Sequence, residues 1–283
     1  MKLMEFISRR RVLTAIIFMA VTIAAAIYGS WLFGLYMIIL IVVGIDELTR
    51  LLNHKEIYPA QTLIYLFAFL FIVAGYINKP GYFGIITSFG IIIIFINFLF
   101  VKRKTTINDI TATIFAVFYT GLLPVHFLLL RNLTAAGPEP TLPLLSGGAG
   151  YLLLTFMTIW TSDIGAYFIG KKYGKHKLCE NISPKKTIEG AIGGTLSGII
   201  MAVLMSLVTD LNIIHSLILG IIIVIFAQLG DLCESLIKRD AGVKDSGDIV
   251  PGHGGILDRA DSYIFSGPAA YYYIKWVVLT GLL

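Results

Sequence analysis

Residues 213–236 read IIHSLILGIIIVIFAQLGDLCESL, a run long enough to cross a bilayer core of about 20 residues as one helix. The stretch that follows, Ser235 to Ser262, reads SLIKRDAGVKDSGDIVPGHGGILDRADS and leads into a second apolar run. Charge this dense between two spanning segments is costly to place. The apolar runs are continuous rather than alternating, which points to helices and away from a membrane β-barrel.

The rest of the chain repeats the pattern. Of 283 residues, 57% are hydrophobic and 14% charged, where a soluble domain carries about a quarter charged. The expected fold is all-α, a polytopic membrane helical bundle. Nine spans are expected, at about 11–28, 31–46, 61–77, 82–101, 109–130, 149–170, 188–208, 213–236 and 260–283. The first follows Arg9, Arg10 and Arg11 and is read as a retained span, since no small-residue cleavage site followed by a soluble domain appears.

Basic residues set the expected orientation. Nineteen of the 22 Lys and Arg residues lie at the N-terminus or in the loops after spans 2, 4, 6 and 8. Lys79 and Arg131 fall on the other side, and Lys275 lies inside the last span. The positive-inside rule then places the N-terminus in the cytoplasm and the C-terminus outside. The net charge of +5 is this topology signal. Without a soluble basic domain it gives no reason to expect nucleic-acid binding. Cys179 and Cys233 fall on the expected cytoplasmic side, where a disulfide is not expected.

The expected division is a membrane scaffold over 1–150 and a catalytic half over 151–283, with cytoplasmic loops 171–187 and 237–259. The first part holds six acids and the second eleven. Between them Ala135 to Gly148 is rich in proline and glycine and reads as an external loop.

Asp258 and Asp261 are three apart and share a helix face at the start of span 9. Asp231 lies near the end of span 8, with Glu234, Ser235 and Lys238 on its face. If spans 8 and 9 pack side by side, Asp231 meets both acids. Three carboxylates there repel unless a cation neutralises them, which makes Asp231, Asp258 and Asp261 candidate Mg²⁺ ligands. The bland alternative is interfacial acids paired with Lys238, Arg239 and Arg259. The metal reading is favoured because Asp231 sits inside an otherwise apolar run.

From Asp240 to Gly255 five of sixteen residues are glycine, among them Gly254 and Gly255. Glycine lets backbone N–H groups close on phosphate oxygens. Lys238, Arg239 and Lys244 can add charge-assisted bonds to the same oxygens. His253 can touch substrate directly or serve as a turn histidine bonded to backbone, and both readings stay open. In the earlier loop, Ser183-Pro184 reads as the N-cap and first position of span 7. Lys185 and Lys186 then fall in the first helical turn, an end that binds anions. Asp163, inside span 6, is an intramembrane acid and a site candidate by default. Asp109 reads as a helix cap, and Asp46 and Glu47 as interfacial acids beside Arg50.

These residues form longer patterns. Ser235-x-Ile237-Lys238-Arg239, then Lys244-Asp245, then Pro251-x-His253-Gly254-Gly255-Ile256-x-Asp258-Arg259-x-Asp261 resembles the signature of the phosphatidate cytidylyltransferase (CDP-diacylglycerol synthase) family. Asp163-x-Gly165-Ala-Tyr167 and Ile182-Ser183-Pro184-Lys185-Lys186-Thr187-x-Glu189-Gly190 resemble it too. Ile164 departs from the pattern, standing where the family usually has a small hydroxyl residue.

The resemblance implies that CTP and phosphatidic acid form CDP-diacylglycerol and pyrophosphate in phospholipid biosynthesis. It implies an Mg²⁺-dependent enzyme, with a monovalent cation such as K⁺ able to share the centre. It also implies a homodimer in the inner membrane of a prokaryote, with its active site facing the cytoplasm. The carboxylate centre maps onto Asp231, Asp258 and Asp261, with Lys238, Arg239 and Arg259 as catalytic cations. Ser183, Lys185, Lys186, Lys244, Asp245, His253, Gly254, Gly255, Asp163 and Glu189 map onto substrate-binding positions. A CTP-dependent polyprenol or dolichol-type lipid kinase is the nearest alternative, and a secondary transporter using Asp163 and Asp231 a more distant one.

Overall fold

A computed structural model describes residues 2–137, 140–249 and 254–281, with side chains described from residue 14 onward. His253 lies outside the described residues. The chain is mainly helical: α1 (Lys2–Tyr28), α2 (Ser30–Asn53), α3 (Gln61–Tyr76), α4 (Tyr82–Leu99), α5 (Ile107–Ala116), α6 (Leu123–Arg131), α7 (Gly148–Tyr173), α8 (Ile188–Met205), α9 (Ile213–Asp240) and α10 (Leu257–Tyr273). Two short strands, β1 (Lys177–Cys179) and β2 (Ser183–Thr187), pair antiparallel between α7 and α8.

Among the described residues, six helical segments are long and apolar enough to cross a membrane: Ser30–Asn53, Tyr82–Leu99, Ile107–Arg131, Gly148–Tyr173, Ile188–Met205 and Ile213–Asp240. Each overlaps one of the expected spans. Thr14–Tyr28 and Gln61–Tyr76 are shorter apolar helices. The expected ninth span begins as α10, whose first five residues include Asp258, Arg259 and Asp261 and so are less apolar. Outward-facing Ile85, Phe89, Ile92 and Ile96 on α4 suit a surface that meets lipid rather than water.

The chain forms two compact units. The first comprises Met1–Leu129 and Ile237–Ala260, the second Leu130–Leu236 and Asp261–Leu283.

In the first unit, α5 and α6 are joined by a π-helical turn, Val117–Leu122, which makes Ile107–Arg131 one span. Pro124 explains the turn. It lacks an N–H and its ring would strike the carbonyl of Thr120 in a regular helix, so the backbone widens ahead of it. In the same stretch Gly121 lies against the Ala68 backbone, where a Cβ would sit 3.3 Å from Ala68 Cα. Asp109 is a cap, as expected: its carboxylate and Thr106 form a capping box at the start of α5. Two loops expected on one side of the membrane also meet here, Lys55 pairing with Asp240 at 3.2 Å.

In the second unit, α7 and α8 pack along small residues. Gly190, Gly194 and Gly198 recur at helical spacing and are all buried. A Cβ on Gly194 would sit 2.8 Å from the Ser162 carbonyl oxygen, and one on Gly198 3.2 Å from that of Thr158. Within lipid, where tails are as apolar as leucine, such close backbone approach is what holds helices together.

The expectation for Ser183 is overturned. Ser183 and Pro184 do not start a helix; they lie in β2, with Ser183 opposite Cys179. Thr187 caps α8 instead, its hydroxyl accepting from the Gly190 N–H. Lys185 and Lys186 are therefore strand residues. Adjacent strand side chains point to opposite faces, and Lys185 is exposed while Lys186 is partly buried.

Candidate active site

The acidic centre of the second unit draws on three helices and the hairpin. α7 supplies Asp163, α9 supplies Asp231 and Glu234, and α10 supplies Asp261. The Asp261 carboxylate lies within electrostatic reach of Asp231, Glu234 and Asp163. Gly230 makes the approach of α9 and α10 possible, since a Cβ there would sit 2.5 Å from the Asp261 carbonyl oxygen. Glu234 is buried, whereas Asp163 is exposed. One cation reaches this centre from β2: Lys186 Nζ lies 2.5 Å from Asp231 Oδ2. The strand turns one lysine of the pair toward the acids and leaves the other outside.

Glu189 lies at the base of the hairpin. Its carboxylate accepts from the N–H groups of Lys175, at 3.0 Å, and His176, at 3.2 Å, and pairs with the His176 ring. It ties the end of α7 to the start of α8, so that the hairpin between them has a fixed base.

The candidates of the first unit lie around the glycine-rich loop. Lys238, at the end of α9, is buried and pairs with Asp258 Oδ1 at 2.5 Å. The other oxygen, Oδ2, accepts from the Ser246 N–H at 2.8 Å, the Ser246 hydroxyl at 3.0 Å and the Gly255 N–H at 2.8 Å. Burial pushes the Asp258 carboxyl up, but the bonds from Lys238, Gly255 and Ser246 outweigh it and hold the group below its ordinary value. Gly254 has φ +83°, and a Cβ there would sit 2.5 Å from Asp258 Oδ2. Only glycine fits that backbone at that distance. Arg239 donates to the Val243 carbonyl oxygen at 3.0 Å. Lys244, Asp245 and Arg259 are exposed.

The structure thus brings Asp163, Asp231, Asp261 and Lys186 together in one unit, and Lys238 and Asp258 together in the other. Two residues of consequence were read differently or passed over. Glu47 is not an interfacial acid beside Arg50: it is wholly buried and accepts from Ser246, Ile256 and Leu257. Span 2 was expected to end at residue 46, yet α2 continues to Asn53. Ser246, which links Glu47 to Asp258, carries no sequence signal of its own.

Among the described residues, no three His, Cys, Asp or Glu side chains sit close enough to hold one ion. The acidic centre still fits a hard cation in its chemistry. Its donors are all carboxylate oxygens, mutually repelling, and Mg²⁺ commonly takes only one or two protein carboxylates beside substrate phosphates.

A family model for the cytidylyltransferase family matches residues 9–277. The phosphatidate cytidylyltransferase of Synechocystis sp. is 34% identical over 282 residues, covering 94% of this chain and 96% of the relative. That of Bacillus subtilis is 33% identical over 270 residues, with 93% and 96% covered. That of Staphylococcus aureus is 50% identical over 125 residues, with 44% and 48% covered. Matched almost end to end, and carrying lysine and carboxylates at one centre, the chain belongs to the cytidylyltransferase family.

Proposed function

We propose that this chain is a phosphatidate cytidylyltransferase, transferring the cytidylyl group of CTP to phosphatidate to give CDP-diacylglycerol and pyrophosphate. The near full-length likeness to enzymes named for that reaction carries the reading. The chemistry of the centre agrees with it.

A phosphate oxygen of phosphatidate attacks the α-phosphorus of CTP. The bond from that phosphorus to the oxygen bridging to the β-phosphate breaks, and pyrophosphate leaves with the electron pair. The nucleophile is already anionic near neutral pH, so the site needs no strong base. Its task is to bring two polyanions together and to stabilise charge on the leaving group.

Lys186 would do this work from the edge of the acidic centre, a role supported by the pairing of its ammonium with Asp231. Lys244, Arg239 and Arg259 are exposed and suited to soluble phosphates. Asp258 acts by holding Lys238 and the loop. Asp231 and Asp261 are the residues that would hold Mg²⁺, which when bound supplies charge neutralisation at the phosphates.

The finer membrane picture belongs to the same proposal. Nine spans, a cytoplasmic N-terminus and an active site facing the cytoplasm are supported by the distribution of basic loops. A prokaryotic plasma membrane is supported by the bacterial relatives. The homodimer rests on the family resemblance.

The decisive assay uses purified protein with labelled CTP and phosphatidate, with and without Mg²⁺. CDP-diacylglycerol and pyrophosphate, formed only with the metal, are expected. In a parallel arm with a polyprenol in place of phosphatidate, polyprenyl phosphate appearing with CDP would make the chain a lipid kinase instead.

A further inference from the structure

We infer that Glu47 is a positioning residue for the nucleotide, acting from α2 through Ser246 and the backbone of Ile256 and Leu257. The inference rests on the cytidylyltransferase reading above.

Glu47 is 0% exposed, an ionisable group fully withdrawn from solvent on a membrane helix. Such a group is tolerated only where its oxygens are satisfied. Oε1 accepts from the Ile256 N–H at 2.9 Å, and Oε2 from the Leu257 N–H at 2.8 Å and the Ser246 hydroxyl at 3.0 Å. Ile256 and Leu257 stand at the beginning of α10, where backbone N–H groups lack helical partners and the helix end favours an anion. Glu47 thus caps α10 from 209 positions away in the chain.

The fit is close on every side. A Cβ on Gly255 would sit 2.4 Å from Glu47 Oε2, and one on Gly247 2.7 Å from Oε1. The loop glycines therefore let backbone close on a carboxylate of the protein itself. Ser246 joins this carboxylate to a second one, because its hydroxyl lies 3.0 Å from both Glu47 Oε2 and Asp258 Oδ2. A hydroxyl has one proton, so it donates to one acid at a time, and Lys238 offsets the remaining charge at Asp258.

Ser246 is thus pinned between two buried carboxylates, with the neighbouring Lys244 and Asp245 exposed to solvent. Exposed charge beside a pinned residue is pre-organised for a soluble polyphosphate, and less for the acyl-bearing substrate, which reaches the site from the bilayer. Glu47 touches neither substrate; it sets where Ser246 and its neighbours stand when CTP arrives.

The test is Glu47→Gln in the full-length protein, compared with wild type in the same detergent. The amide retains the shape but offers one acceptor oxygen, and turns N–H donors toward N–H donors. The expected result is a rise in KM for CTP of roughly tenfold to a hundredfold, the usual effect of losing buried bonds to a charged group. KM for phosphatidate should stay within about twofold, a split that general loosening of the fold would not give. CTP with Mg²⁺ should protect wild type from tryptic cleavage at Lys244, and fail to protect the variant at the same concentration. A folded variant with both KM values unchanged, or both raised equally, would overturn the inference. If Glu47→Gln does not fold, Ser246→Ala decides the matter: a selective rise in KM for CTP supports the inference, and unchanged kinetics overturn it. A wild-type protein that makes no CDP-diacylglycerol would count against the cytidylyltransferase reading instead; the Lys244 cleavage pattern, which needs no turnover, still decides the role of Glu47.

Discussion

Asp231 and Asp258 carry the same charge and meet a lysine at the same distance, 2.5 Å, yet their surroundings assign them different work. Asp231 is partly exposed and faces other acids. Asp258 is buried, with both oxygens engaged. Asp231→Asn is expected to lower kcat on the order of a hundredfold to a thousandfold, as when a transition-state charge partner is removed. Its melting temperature in detergent should hold. Retention of wild-type turnover would remove Asp231 from the centre.

For Asp258 the telling variable is pH. Its folded-state pKa lies below the ordinary value, so its contribution is complete above the ordinary carboxylate range and is lost as pH falls through the depressed value. Protection of the Ser246 and Gly255 amides, taken as exchange relative to an unstructured chain at the same pH, should hold at pH 5–7 and fall only below about pH 4. Asp258→Asn should lose that protection already at neutral pH. Its loss in wild type at pH 6 would contradict the assignment. Asp258 stood out in the sequence as a charged residue at a span's edge. Glu47 did not, because an acid at the end of an apolar run looks the same whether it ends the helix or lies buried within it.

At the scale of elements, periodicity carried most of the fold. Long apolar runs have few alternatives in a membrane; the packing face of Gly190, Gly194 and Gly198 emerges only in the structure. The hairpin was hidden for a physical reason. Ser183-Pro184 followed by lysines has the local chemistry of a helix start, and what overrides it is pairing with Lys177–Cys179, a contact that local pattern does not encode. The difference has a consequence for the two lysines. In a helical first turn Lys185 and Lys186 would both serve the anion-binding end; in a strand they face apart. Lys186→Gln should therefore lower kcat/KM by about tenfold more than Lys185→Gln. Equal losses would mean that both side chains reach substrate and that the strand alternation is irrelevant to the site.

At the scale of the molecule the open quantity is the number of crossings, and α3 decides part of it. Gln61–Tyr76 has 16 residues, a length of about 24 Å at the helical rise, against a hydrocarbon core of about 30 Å. A short span is accommodated by local thinning of the bilayer and by flanking residues that reach toward the headgroups. The sequence around α3 favours crossing. Lys55, on the N-terminal side, belongs to a basic loop and pairs with Asp240 at the end of α9, whereas Lys79 stands almost alone beyond the C-terminal side. Only Cys179 and Cys233 need replacing for a cysteine-free background. Lys55→Cys removes an exposed ion pair and should leave the fold intact. In right-side-out vesicles an impermeant maleimide should label Lys79→Cys and spare Lys55→Cys and Lys104→Cys. In inverted vesicles the pattern should reverse. Labelling of Lys55→Cys and Lys79→Cys from the same side would make α3 a helix that enters the bilayer without crossing it, and would reduce the count of spans.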